Sequence, residues 1–111
     1  GQKLATVEGA IAHMTDVPAR FFGLVERGRI AEGWHADLVV FNPETVGAGE
    51  FLLKHDLPGD SPRLYADAFG IDRVYVNGTC TIVDGQPVGS LPGSVLRSGT
   101  DTETVSIPAD A

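Results

Sequence analysis

The chain has 111 residues, of which 15 are acidic and 8 are basic, and its formal net charge is −7 at pH 7. This length suits one small domain and is too short for two independent cores. The acidic balance argues against a nucleic-acid partner, because phosphate binding needs clustered lysine and arginine. A single cysteine excludes an intrachain disulfide. No apolar run approaches the roughly 18 residues of a membrane span, so we expect no membrane partner and a cytoplasmic location.

Two short helices are predicted at the start of the chain. The apolar residues of the first recur at spacings of three and four, which places them on one face: Leu4, Val7, Ile11 and Met14. Thr6 is positioned to cap this helix with its hydroxyl group. A second helical turn is predicted to start at Asp16 as an acidic cap and to end at Gly23.

From Gly28 onward the pattern predicts β-structure. Residues 36–41 form an apolar run typical of a strand buried from both sides. Residues 44–70 show no sustained period and are predicted to be a long connection. Asn77-Gly78, between two β-branched runs, predicts a hairpin over residues 73–83 with a tight two-residue turn. Asp84-Gly85 predicts a further reversal, and Pro87 places the segment after it at a sheet edge.

The candidate functional residues are few. There is no His-x-His, His-Glu-x-x-His or Cys-x-x-Cys, so no catalytic, cofactor-binding or metal-binding residue is assigned to this chain. Asp37 is assigned a structural role, accepting backbone N–H groups from the turn before its strand, and Asn77 and Gly78 are assigned the hairpin turn. Two substrate-side candidates remain in the loop, as alternatives to solvated surface residues: Arg63 as a partner for a ligand carboxylate, and His55 with Asp56 as a proton-transfer pair.

Several short segments of the chain occur in the same order as in a known protein family. They are Met-Thr-Asp-Val-Pro-Ala at 14–19, Phe-Gly-Leu at 22–24, Arg-Gly-Arg-Ile at 27–30, the run from Glu32 to Phe41, and Val-Asn-Gly at 76–78. This series resembles the C-terminal region of the metal-dependent amidohydrolases, and among them the N-acyl-D-amino-acid deacylases (D-aminoacylases). Residues 89–97 are similar to the usual ending of that family, except that Ser94 stands where the family pattern has arginine.

The resemblance implies a place for each part of the chain. Residues 1–28 would be the last helix of a (β/α)-barrel with a connecting helical turn. Residues 29–97 would be the C-terminal share of the small β-sandwich that flanks the barrel. Residues 98–111 lie outside the resemblance, and their composition, without a basic residue, predicts a flexible acidic tail. The fold class expected is therefore mainly β with short N-terminal helices.

The resemblance also implies an activity that this chain alone would lack. The parent enzyme would hydrolyse amide bonds of N-acyl-D-amino acids with zinc-activated water, and its metal ligands and catalytic residues would lie upstream. The expected partner is the missing N-terminal barrel of the same polypeptide, and an isolated fragment would expose apolar surface or self-associate. A competing hypothesis is a stand-alone β module that binds a partner by strand addition.

Overall fold

The structure is a computed structural model that describes residues 4–106 of the chain. It contains two helices and eight short strands, in this order: α1 (Val7–Met14), α2 (Asp16–Phe21), β1 (Leu38–Phe41), β2 (Gly47–Ala48), β3 (Leu52–Lys54), β4 (Arg63–Tyr65), β5 (Ala68–Phe69), β6 (Ile71–Val76), β7 (Thr79–Val83) and β8 (Gln86–Pro87). A 3-10 turn, Pro58–Asp60, lies between β3 and β4. The predicted class, mainly β with short N-terminal helices, is confirmed.

Both helices form where the sequence predicts them, but the second begins differently. The Thr6 hydroxyl accepts a hydrogen bond from the Gly9 N–H at 3.0 Å, as expected for a cap of α1. Asp16 does not cap α2. It lies in the first turn of that helix and pairs with Arg20 at 2.9 Å, an exposed contact one helical turn along.

The end of α2 places the following chain beside the C-terminal segment. Gly23 adopts φ 69°, and the Leu24 N–H returns to the Ala19 carbonyl at 2.8 Å, which closes the helix. Leu24 then forms an isolated antiparallel bridge with Thr102. Part of the predicted acidic tail therefore contacts the rest of the chain. Its flexibility stays a prediction, and residues 107–111 lie outside the described residues.

The largest sheet has the order β1-β6-β7-β8, and all its neighbours are antiparallel. Asn77 and Gly78 both have positive φ angles, 49° and 79°, which confirms the predicted tight turn between β6 and β7. Asp84 and Gly85 make the second reversal with φ 49° and 77°. It leads to β8 at one edge of the sheet, where the prediction placed Pro87.

The prediction that residues 44–70 are a connection without strands is wrong. They contain β2 to β5, with β2 paired to β5 and β3 paired to β4 in antiparallel register. Both pairs lie between β1 and β6 in the chain, and each forms a two-stranded sheet separate from the four-stranded one. We call residues 47–69 the ribbon. Its strands have two or three residues each, too few for an alternating pattern to emerge from the sequence.

The described residues do not enclose a hydrophobic core. Among residues 4–106, Ala19 is the one buried hydrophobic side chain, at 4% exposure. Val39 and Val40 of β1 are exposed, which agrees with the expectation that a fragment without its barrel exposes apolar surface. Burial of β1 from both sides in a longer polypeptide stays a prediction. The accessible surface is 9039 Å², whereas a compact folded chain of this mass has about 5,900 Å². The radius of gyration, 17.1 Å, likewise exceeds the roughly 13 Å of a compact domain of this length.

Candidate functional site

The most connected polar group of the described residues surrounds the turn between β6 and β7. Asp37, one residue before β1, accepts the Asn77 backbone N–H at 2.9 Å with one carboxylate oxygen. Its other oxygen accepts from the Arg27 guanidinium at 2.5 Å. The sequence predicts donors in the turn just before the strand. The structure instead brings them from the hairpin turn and from the segment after α2.

Asn77 is the centre of this group. Its side-chain oxygen accepts from Arg27 at 3.0 Å, and its side-chain nitrogen donates to the Pro92 carbonyl at 2.9 Å. The next residue, Gly78, donates its N–H to the Ala36 carbonyl at 2.9 Å. We call Arg27, Asp37, Asn77 and the Pro92 carbonyl the turn cluster. It joins four segments that are up to 65 residues apart in the chain.

The electrostatics of the turn cluster favour an ionised Asp37. Partial burial of the carboxylate by itself raises the pKa of Asp37, but the Asn77 N–H and the Arg27 guanidinium outweigh it, so the pKa lies below its usual value. The Arg27 side chain is only 12% exposed, so its charge is little screened by solvent. The cluster is thus a partly buried ion pair held by hydrogen bonds, an arrangement that fixes segments in place.

Sequence reasoning missed two members of the turn cluster. Arg27 is one of six scattered arginines, and the Arg-Gly-Arg-Ile segment that contains it carries the family resemblance without indicating a partner for its side chain. Pro92 contributes only a backbone carbonyl, which every residue has. No local pattern identifies either one, because the contacts from Asn77 span 50 residues to Arg27 and 15 to Pro92. The structural roles predicted for Asp37, Asn77 and Gly78 stay predictions until variants are measured.

The two substrate-side candidates, Arg63 and His55, lie on the ribbon, and each contacts another residue of the ribbon. The Arg63 guanidinium makes two parallel hydrogen bonds to the Asp56 carboxylate, both at 2.6 Å. His55 does not pair with Asp56. Its Nδ1 lies 3.1 Å from the Asp60 carbonyl oxygen. The structure therefore does not form the His55–Asp56 pair, and a carboxylate of the chain itself occupies the Arg63 fork. A substrate-side role for either residue stays a prediction.

The ion pair with Arg63 changes the pKa of the Asp56 carboxyl group. Hydrogen bonding to Arg63 lowers the pKa of Asp56 to about 2. The same face of the ribbon holds Tyr65, whose ring lies beneath the Lys54 ammonium group at 3.5 Å from the ring centre. Tyr65 also donates its hydroxyl to Asp67 at 3.1 Å, and this hydrogen bond raises the pKa of Tyr65. On this face of the ribbon the polar side chains are therefore paired with one another, beside the apolar side chain of Leu52.

Neither the turn cluster nor the polar group around Arg63 on the ribbon provides a metal site. Within residues 4–106, no group of three or more His, Cys, Asp or Glu side chains is arranged to hold a metal ion. The zinc implied by the resemblance therefore finds no ligand set among the described residues of this chain. In the same part of the chain, no helix has the length and apolar character needed to cross a membrane.

Comparisons with known proteins agree with the resemblance seen in the sequence. The model of the Amidohydrolase family matches residues 1–89. The chain belongs to this family. It is 44% identical over 95 residues to N-acyl-D-glutamate deacylase of Alcaligenes xylosoxydans xylosoxydans, a match covering 86% of this chain and 17% of the relative.

Two further relatives come from the same organism. N-acyl-D-aspartate deacylase is 38% identical over 99 residues, or 88% of this chain and 18% of the relative. D-aminoacylase is 39% identical over 93 residues, or 84% of this chain and 17% of the relative. The chain thus spans about a sixth of the length of the curated relatives that it matches. No solved structure matches it.

Proposed function

We propose that this chain is the C-terminal portion of an amidohydrolase that hydrolyses the amide bond of N-acyl-D-amino acids. The observation that carries the proposal is 38–44% identity to three deacylases of D-amino-acid derivatives over most of the chain. The chain covers only 17–18% of those relatives, which leaves most of such an enzyme, including its catalytic residues, to other parts of the polypeptide.

Within that enzyme, the contribution of this chain is structural. We place residues 1–28 against a (β/α)-barrel and residues 29–97 in a β-sandwich beside it, with the turn cluster fixing the sandwich strands. The uncovered apolar side chains support this placement, since an independent domain of 111 residues buries far more of its surface. Zinc is the metal that we propose for the complete enzyme. Because no group of three or more His, Cys, Asp or Glu side chains among the described residues is arranged to hold a metal ion, we assign no step of the reaction to them.

The test of the proposed function is a deacylation assay on the complete natural polypeptide that carries this chain. We expect release of free D-amino acid from N-acetyl-D-glutamate, N-acetyl-D-aspartate or an N-acetylated apolar D-amino acid. The matching L-isomers serve as controls for stereochemical preference, and the excised 111 residues serve as the control for catalytic completeness. The proposal would be refuted if the excised chain alone hydrolysed a substrate, or if the complete protein hydrolysed none of these D-substrates.

A second candidate function has one structural observation in its favour. β1 lies at an edge of the four-stranded sheet, so a strand from another polypeptide has a place to pair. This would suit a stand-alone β module that binds a partner by strand addition. The mass of the native protein in a cell extract separates the two hypotheses: a polypeptide of about 111 residues favours the module, and one several times longer favours the enzyme.

A further inference from the structure

The ribbon presents two faces of opposite character. Leu53 pairs directly with Leu64 across β3 and β4, so both side chains lie on one face. Phe51, the residue before β3, is two positions from Leu53, the spacing at which side chains of an extended chain share a face. These three side chains are 61%, 73% and 75% exposed, respectively. We call them the ribbon's apolar face. The opposite face carries the Lys54, Tyr65 and Arg63 contacts described above, together with one apolar side chain, Leu52, which pairs with Tyr65.

The ribbon has little support from the rest of the described chain. Among the helices and strands of residues 4–106, β2 to β5 pack substantially only against one another. A two-stranded ribbon is marginally stable at best in water unless its apolar side packs on something else. Three large, exposed apolar side chains close together on such a ribbon therefore indicate a surface that packs against another part of a protein.

We infer that the ribbon's apolar face docks on the remainder of the same polypeptide, the part that the deacylase relatives possess beyond the matched region. This inference rests on the proposed function in that it takes the chain to be part of a longer enzyme. The relatives have more than four-fifths of their length outside the match, so a covering surface is available within one molecule.

The size of the patch favours an intramolecular partner over a second copy. A stable interface between separate proteins uses about 20–30 residues and about 800 Å² on each side. Three side chains fall far short of this. A covalently connected partner has an effective concentration in the millimolar range, so a small patch is enough to hold the ribbon in place.

Hydrogen–deuterium exchange on the complete natural polypeptide tests the inference without any substitution. We expect the cross-strand amides of β3 and β4 to exchange at least about tenfold more slowly than in an unstructured peptide, and equally slowly at low and high protein concentration. Exchange at the unstructured rate would overturn the inference. Protection that appears only at high concentration would also overturn it, because it would identify a second copy as the partner.

A pair of variants tests which face docks. Leu53→Asp with Leu64→Asp adds two charges to the ribbon's apolar face, whereas Ser61→Asp adds one at an exposed position near the ribbon tip. We expect the double variant to lose the tenfold protection and Ser61→Asp to keep it. Equal protection in both variants would contradict docking through this face. Deacylation measured in parallel keeps the two proposals separable, since an active parent enzyme whose ribbon is unprotected refutes only the docking.

Discussion

Asn77 connects three parts of the chain through one side chain and one backbone N–H. It combines a left-handed backbone, at φ 49°, with hydrogen bonds to Arg27, Asp37 and Pro92. Asparagine tolerates this conformation better than most residues, and its amide supplies both a donor and an acceptor. The residue type is therefore suited to the turn and to the cluster at the same time.

Replacement of Asn77 by alanine separates these two roles when it is compared with Asp84→Ala. Asp84 has the same φ of 49° in the second turn, and the described residues show no side-chain hydrogen bond from it. Both variants lose a residue suited to left-handed backbone, but only Asn77→Ala also loses the cluster contacts. We expect Asn77→Ala to cost about 2 kcal/mol more, at about 1 kcal/mol for each lost hydrogen bond. Urea unfolding of the complete polypeptide measures the difference, and equal costs would show that the two hydrogen bonds of the Asn77 side chain contribute nothing to stability.

The pH dependence of the turn cluster follows from the lowered pKa of Asp37. Because its pKa is lower in the folded state than in the unfolded state, its stabilisation is present above the unfolded value of 3.8 and is lost as the pH falls through the folded pKa. We expect Asp37→Asn to be less stable than the parent at pH 7 and the gap to narrow below pH 4. Urea midpoints between pH 7 and pH 3 test this, and a constant gap would contradict it.

The Asp56 carboxylate offers a direct titration of the ribbon's ion pair. We expect NMR titration of Asp56 to give a pKa of about 2 in the parent and a value near 3.8 in Arg63→Gln, because the guanidinium hydrogen bonds are the main cause of the shift. Lys54→Gln is the matched control, since Lys54 contributes least to that shift. A similar rise in both variants would mean that general positive charge, and not the Arg63 fork, controls this carboxylate.

At the scale of elements, the two glycines on either side of β6 show different constraints: Gly70 precedes the strand, and Gly78 lies in the turn after it. Gly78 has φ 79°, and a Cβ atom added there would meet nothing within 4 Å. Gly70 has φ 74°, but a Cβ atom there would lie 2.5 Å from the Val46 backbone nitrogen. Gly70 lies at the base of the ribbon, where the Asn42 N–H bonds to its carbonyl. The base therefore depends on close backbone approach as well as on the turn conformation.

We therefore expect Gly70→Ala to destabilise the complete polypeptide more than Gly78→Ala. The Gly78 variant has only the cost of a left-handed residue, about 1 kcal/mol, whereas the Gly70 variant must also displace backbone. Gly78→Val adds a β-branched side chain to the same strain and should cost at least about 1 kcal/mol. Thermal unfolding ranks the three, and a parent-like Gly78→Val would contradict the cost that we assign to a left-handed β-branched residue at this turn.

Local signals predicted part of these elements and missed the rest for identifiable reasons. The Asn77-Gly78 turn and the Thr6 cap depend on neighbouring residues, so a short stretch of sequence contains everything that determines them. The ribbon depends on pairing between strands that are nine or more residues apart, such as Leu53 with Leu64. Strands of two or three residues carry too little pattern to reveal such pairing.

At the scale of the whole molecule, uncovered apolar surface is the dominant feature. The helices expose Val7, Met14 and Phe21, and the sheet exposes Val39 and Val40. Burial of apolar surface is the main favourable term in folding, at about 25 cal/mol per Å². A chain that buries so little has little to offset the conformational entropy of ordering its backbone.

The excised chain should therefore behave differently from the same residues within a complete enzyme. We expect it to bind an apolar dye such as ANS, to unfold without a sharp transition, and to self-associate in light scattering as its concentration rises. The complete polypeptide is the control and should bind little dye. A strictly monomeric excised chain with a cooperative transition and no dye binding would contradict our view that its surfaces are completed by other polypeptide.

The sequence by itself determined the helix cap, the tight turns and the edge position of Pro87, because each depends on residues close together in the chain. It also determined the resemblance to amidohydrolases, which depends on the order of short segments along the chain and not on how they fold. Only the tertiary structure decided that Arg27 and Pro92 join Asp37 and Asn77, that Asp56 occupies the Arg63 fork, and that residues 47–69 form a ribbon. These features arise from pairing between distant segments. The sequence around a backbone carbonyl or a single arginine does not indicate which distant partner folding will bring to it.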